Sequence, residues 1–218
     1  YTALYRSQLC PTIYSDVDGR YLGADRKVHQ ARHTTYSTFS LWDTYRTAHP
    51  LYALLSPSEA KAMVASLVAF GEENAGHLPV WNMFASETDM MIGHHSIPVI
   101  VEAVLKGIYV PRDKEKLLRL LRSTAERTGY RGLDSYQRLG YIPAEEEEES
   151  VSKTLEYAYD DAAIARYARW MGDEGVARRY EERARSWRNV WDSLPPLQEP
   201  RLPVRLRPLC LYQALYRE

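Results

Sequence analysis

Apolar residues recur at intervals of three and four along most of the chain, the period of a helix with one buried face. Ala60, Met63, Val64, Leu67 and Val68 make one such stripe, opened by Ser56, Pro57 and Glu59 as a capping box and closed at Gly71 or between Asn74 and Gly76. Ile97, Val99, Ile100, Val101, Ala103, Val104 and Leu105 leave few polar positions, so this helix is expected to be buried on most sides, with Pro98 in its first turn. Pro111 and Asp113 open another helix through Leu117, Leu118, Leu120, Leu121 and Ala125, ended by Gly129. A long helix follows Ser150 or Ser152, carries Leu155, Ala158, Ala162, Ala163, Tyr167, Trp170 and Met171, and stops at Gly172. Asp173 caps a last one with Val176, Ala177, Tyr180, Ala184, Trp187 and Trp191 on its stripe. Tyr36 to Leu54 reads as one more helix, broken or bent near Pro50, and Tyr1 to Leu9 as the end of another. The pattern predicts an all-α chain of about seven helices in helical hairpins, arranged as a ring or solenoid, with no fixed repeat.

The stretches between helices are uneven. Pro11 to Thr35 is long and polar, with Asp16, Asp18 and Gly19 as turn formers and the YLG and KVH pieces as a short hairpin. Gly76 to Thr88 is a second long connection, of the length that is usually functional or disordered. The acidic run Glu145 to Glu149 reads as a solvated loop favouring the next helix N-terminus. Composition changes after Asp192: residues 193–218 hold five prolines, seven leucines and no glycine. This divides the chain into a helical part, 1–192, and a Pro/Leu/Arg-rich tail, 193–218, read as disordered or as the product of a shifted frame. Tyr1, in place of a start Met, reads as a cut edge, and no leader-like segment opens the chain.

Charge and composition narrow the function classes. A net charge of -1 over 218 residues gives no basic field for nucleic acid. No apolar run approaches the roughly 18 residues of a membrane span. The two cysteines, Cys10 and Cys210, suggest neither a disulfide framework nor a metal cluster. Seventeen tyrosines against three phenylalanines, with five tryptophans, suit a sugar-binding surface, since such rings match the C–H faces and hydroxyl edges of pyranoses. The commoner explanation is that the tyrosines fill helix seams with their hydroxyls reaching water.

Four stretches together are characteristic: YSDVDGRYLG (14–23), YSTFSLWDTYRTAHPL (36–51), LPVWNMFASETDMMIGHHSIPVI (78–100) and GYIPAEEEEESVSKTLEYAYDDAAIA (140–165). Each is similar to a segment of glycoside hydrolase family 92, in that family's order and at compatible spacing. The resemblance implies a β-sandwich followed by an (α/α)6 toroid, in a calcium-dependent exo-α-mannosidase that inverts configuration and removes terminal α-linked mannose, of the α-1,2 type, from glycans. On it, the chain is the first part of the catalytic domain, an incomplete (α/α)6 toroid. The family's acid, in an E-G-N type motif, and its base, in an aspartate-rich motif, are expected downstream, so the fragment is expected to be inactive alone. Ca2+ is expected in the full-length enzyme and not on this fragment. Full-length members are exported, to the periplasm, the cell surface or the medium. Uncovered helix faces would favour self-association. After Asp192 the chain departs from the family pattern, with Ser193-Leu194-Pro195-Pro196 where a Gly-Phe-Met-Arg type turn is expected.

Four residues are candidates for substrate binding. The resemblance makes Asp43 a ligand for hydroxyls of the terminal mannose, with Trp42 beside it as a stacking face. The residues alone also allow Asp43 to cap its helix or pair with Arg46. Glu87 and His95 are placed in the pocket or just behind it, near Asp89 and His94, a satisfied helix-cap network being the alternative. The His94–His95 pair lacks the spacing of a helical zinc motif, and Ca2+ prefers oxygen. Asp16 and Asp18 read as a turn, because the further oxygens of a calcium loop are missing. Asp160 and Asp161 point about 100° apart on their helix, so one is expected inward and the other solvated. The competing functions are a non-enzymatic helical module that binds carbohydrate or protein, and a pseudogene product.

Overall fold

A computed structural model describes residues 1–191. In chain order its elements are α1 (Thr2–Ser7), β1 (Thr12–Ile13), β2 (Arg20–Leu22), β3 (Val28–Gln30), β4 (Tyr36–Ser37), α2 (Leu41–Thr44), α3 (Ala48–Leu55) and α4 (Pro57–Glu73). They continue with β5 (Asn82–Met83), β6 (Ser86–Glu87), α5 (Ser96–Leu105), α6 (Lys114–Ala125), α7 (Leu133–Leu139), α8 (Ser150–Met171), α9 (Glu174–Arg183) and a 3-10 turn (Ala184–Val190). The fold is all-α in its core. The short strands form three antiparallel pairs, β1–β4, β2–β3 and β5–β6, as clips between helices.

The long helices form for local reasons and are held by burial. Asp113 caps α6 by accepting from Lys116 N (2.8 Å), and Asp173 caps α9 by accepting from Val176 N (3.0 Å). Ser56 makes no such side-chain bond at α4, where Pro57 in the first turn starts the helix instead. The core joins α4, α5, α6, α8 and α9, with Leu67, Ile97, Ile100, Leu121 and Ile164 wholly inaccessible. Each such side chain contributes roughly 1.5–3 kcal/mol by leaving water. A smaller cluster of Leu133, Tyr136, Ile142 and Tyr157 seats α7 on α8.

The predicted fold class stands, while three elements differ from the sequence expectation. Tyr36 to Leu54 is not one helix. Tyr36 and Ser37 pair with β1, Thr38 takes a φ of +61°, and two short helices follow. The Ser/Thr-rich start explains this, because hydroxyls there bond locally and compete with helix, as Thr38 Oγ1 does in donating to the Ser37 carbonyl (2.6 Å). Helix α7 was not expected; it is seven residues long, between Gly132 and Gly140 in left-handed conformation. The acidic run is not simply solvated: buried Lys153 donates to Glu147 (2.5 Å) and to the Glu148 carbonyl (2.8 Å). The hairpin foreseen near Tyr21 is β2–β3, and Asp16 and Asp18 make the turn before it, with Gly19 N donating to the Asp16 carbonyl (2.9 Å) and Arg20 N to Asp18 (3.0 Å). The tail 193–218 lies outside the described residues. Among the described residues, no helix is long and apolar enough to cross a membrane.

Candidate functional site

A polar cluster lies where the N-terminus of α5 meets α8. Glu156 and Asp160 stand one turn apart on α8 and therefore share a face. His95, the residue preceding α5, is wholly buried between them. Its Nε2 lies 3.3 Å from Glu156 Oε2 and its Nδ1 3.2 Å from Asp160 Oδ1. Tyr45 stacks flat on the imidazole, with ring centroids 3.9 Å apart and planes 5° apart. Room for the ring exists because residue 93 is glycine: its φ is +78°, and a Cβ there would collide with His95. Asp160 also accepts the His94 main-chain N–H (2.7 Å). The His94 ring is buried against Tyr157, and desolvation pushes it down to about 4, against the pull of Asp160.

The Trp42–Asp43 pair sits beside this cluster on α2. Leu41 and Tyr45 anchor the turn inward, while Asp43 is exposed and Trp42 half-buried. The Trp42 indole N–H has no hydrogen-bond partner among the described residues. Tyr45 OH (3.1 Å) and Arg46 (3.2 Å) both donate to Glu156. Arg46 thus reaches across to α8.

Glu87 stands in a different setting. Its carboxylate accepts four main-chain N–H groups of its own loop: Val80 (2.7 Å), Trp81 (2.9 Å), Thr88 (2.8 Å) and Asp89 (2.8 Å). That loop holds Phe84, Asp89 and Met91 at positive φ, and Tyr130 and Arg131 fasten it by donating to Asp89 and to the Met91 carbonyl. The long connection 76–88 is therefore ordered, and Glu87 organises it from within.

The structure brings His95 to the α2 turn that carries Trp42 and Asp43. It places Glu87 in the loop leading to that histidine. Glu156 and Tyr45 were not among the sequence candidates, Arg46 was read only as a partner for Asp43, whereas it pairs with Glu156, and Asp160 was read only as one of an adjacent pair with one member inward. The i, i+4 spacing of Glu156 and Asp160 was the available signal, obscured by attention to the adjacent pair Asp160–Asp161. Neither aspartate is solvated, which corrects the expectation for one of them: Asp160 is 2% and Asp161 1% exposed. Asp161 accepts from Tyr136 OH (2.8 Å) and Arg183 Nε (3.0 Å). Burial pushes its carboxyl up to about 7, opposed by the Arg183 charge and the Tyr136 hydrogen bond.

Chemically, the buried carboxylates are committed to internal partners, and Asp43 presents its acceptor oxygens outward. Glu156 and Asp160 face one imidazole and not a shared cavity. A cleft of about 960 Å3 lies elsewhere, against α4 and the start of α6, with Tyr21, His29, Lys61, Tyr109 and Arg112 on its walls. Among the described residues, no three His, Cys, Asp or Glu side chains converge to hold a metal.

Comparison with known proteins gives one family. The profile of the glycosyl hydrolase family 92 catalytic domain matches residues 1–203. An α-mannosidase of that family from Bacteroides thetaiotaomicron, solved with mannoimidazole, superposes with a TM-score of 0.83 at 36% identity, over 88% of this chain and 25% of that one. An inverting mannosidase of the family from the same species gives a TM-score of 0.81 at 33% identity, over 88% and 27%. A secreted, uncharacterized glycosidase of Arthroderma benhamiae is 23% identical over 207 residues, 88% of this chain and 22% of that protein. The chain thus spans about a quarter of the length of these relatives.

Proposed function

Since the chain belongs to glycosyl hydrolase family 92, we propose that it forms one wall of the sugar site of an inverting exo-α-mannosidase acting on terminal α-1,2-linked mannose. Trp42 and Asp43 are the residues that meet the sugar. The observation that carries this is their placement: an exposed carboxylate and a half-buried indole sit on one turn, backed by the buried His95 and Asp160 and the nearly buried Glu156. A carboxylate suits the task because it accepts hydrogen bonds from two neighbouring hydroxyls. Glu87 and His95 serve behind that surface, as fixtures of the loop and of the turn.

An inverting glycosidase needs an acid and a base roughly 6.5–9.5 Å apart across the scissile bond. Glu156 and Asp160 do not fit these roles, because His95 stands between them and Asp160 is 2% exposed. The acid and base are therefore assigned outside this chain, which is inactive alone, and Ca2+ is assigned to the whole enzyme. Export is proposed for that enzyme, in line with the secreted fungal relative.

Calorimetry with mannose and α-mannobiose tests the sugar wall. Binding is expected, and Asp43→Ala should weaken it about ten- to a hundredfold, the worth of roughly 1.5–3 kcal/mol for hydrogen bonds to a charged group. An aryl α-mannoside with added Ca2+ should give no turnover; robust hydrolysis would overturn the assignment of acid and base. Exposed Trp170, Trp187 and Leu54 favour a second reading, a protein-interaction module. Absence of sugar binding together with defined oligomers in light scattering would support it.

A further inference from the structure

The α2 turn cannot fix its own geometry. It has four residues, and Ser40 at its N-cap makes no side-chain capping bond. Isolated helices shorter than about 12 residues are marginal in water, so a single turn depends on tertiary ties. Leu41 supplies apolar anchorage at one end, with no side chain exposed. At the other end the polar ties converge on one group. Tyr45 OH lies 3.1 Å and Arg46 3.2 Å from the two carboxylate oxygens of Glu156. His95, which stacks under Tyr45, is 3.3 Å from the same carboxylate. The Glu156 side chain is 12% exposed, so its contacts with buried Tyr45 and His95 are weakly screened, while Arg46, 58% exposed, meets it at the solvent edge. It stands on α8, a rigid helix of 22 residues seated in the core.

We propose that Glu156 is the positioning residue of the sugar site: it sets the orientation in which Trp42 and Asp43 are presented. The sugar half of this statement rests on the reading of Trp42 and Asp43 given above; the positioning half does not. Glu156 touches no substrate in this scheme. Its charge holds Arg46 and its second oxygen holds Tyr45, so both outward residues between Leu41 and Tyr45 inherit their direction from it.

Glu156→Gln keeps size and one acceptor but removes the charge. In hydrogen exchange of the full chain, the amides of residues 41–46 should exchange at least tenfold faster, while those of 164–171 on the same α8 stay protected. The Trp42 indole resonance, assigned by its loss in Trp42→Phe, should shift or broaden. Mannose affinity should fall tenfold or more, and Glu156→Asp, which restores the charge one methylene short, should recover part of all three. Should Glu156→Gln fail to fold, Tyr45→Phe with Arg46→Gln cuts the same ties from the other side and is expected to give the same result. Unchanged protection at 41–46 together with an unmoved Trp42 signal would overturn the proposal. If the wild-type chain binds no mannose, the sugar reading fails, and the exchange and indole signals still decide whether Glu156 positions the turn.

Discussion

Single residues here act mainly by closing internal accounts of charge and hydrogen bonding. Six tyrosines show it: Tyr45 donates to Glu156, Tyr52 to the Cys10 carbonyl, Tyr136 to Asp161, Tyr157 to the Arg131 carbonyl, Tyr167 to the Lys114 carbonyl and Tyr180 to Glu126. These six phenols do not send their hydroxyls to water; they join elements inside the fold. Counting residues could not reveal this, because the partners are 25 to 111 positions away. Gly93→Ala should destabilise by about 1–3 kcal/mol through its positive φ alone, and further through collision with the His95 ring. Thermal melting checks it, and a double-mutant cycle with His95→Ala should return the collision part but not the backbone part. Histidine burial sets an acid limit. Desolvation holds His49 at about 4, as it does His94, whereas an unfolded chain takes up the proton near its ordinary value of about 6.5. The folded value is depressed, so this stability is full above about pH 6.5 and is lost as pH falls from there to about 4, on the order of 3 kcal/mol per ring. His49→Phe keeps a ring between Phe39 and Tyr52 and should flatten the decline of melting temperature between pH 7 and pH 4.5. An equal slope in the variant would refute the assignment.

At the scale of elements, α8 is the member on which the others converge. It packs against α5, α6 and α9, and one face carries Glu156 and Asp160 while another carries Asp161. Arg183 from α9 meets Asp161, reaches the Ala125 carbonyl of α6 (3.1 Å), and lies over Tyr136 and Tyr180. Arg183→Ala should cost roughly 3–5 kcal/mol when Asp161 is ionised, by leaving a buried carboxylate with the Tyr136 hydroxyl but no counter-charge. The loss should depend on pH. Burial pushes the Asp161 carboxyl up to about 7 in the fold against about 3.9 unfolded, so its stabilising contribution is full below about pH 3.9 and is lost as pH rises from there through 7. Without Arg183 it is pushed higher still, so urea melts should show a larger deficit at pH 8 than at pH 5.5. A deficit independent of pH would mean that only packing was lost. Long stripes such as those of α4, α5, α6 and α8 were legible in the sequence because burial imposes the 3.6-residue period over many turns. Helix α7 and the break after Tyr36 were not. Each spans a few residues whose conformation is set by distant partners, Ile142 against Gly132 in one case and β1 in the other.

For the molecule as a whole, the residues that face outward were easier to name than those that fix them. Trp42 and Asp43 stood out through their family motif, while Glu156 looked like one more polar position on a long helix. The reason is that a surface motif is contiguous, whereas its support is assembled from the N-terminus of α5, the middle of α8 and the end of α2. That assembly has a consequence during synthesis. Arg46 and Glu156 are 110 positions apart, so at about 5–20 residues per second a ribosome takes roughly 5–20 s to make the second after the first. For an interval of that length after it leaves the exit tunnel, the aromatic turn waits for Glu156 to emerge, untethered and exposed to proteases and to chaperones. Nascent chains stalled before residue 150 should be cut there readily, and chains stalled well beyond α9 should resist.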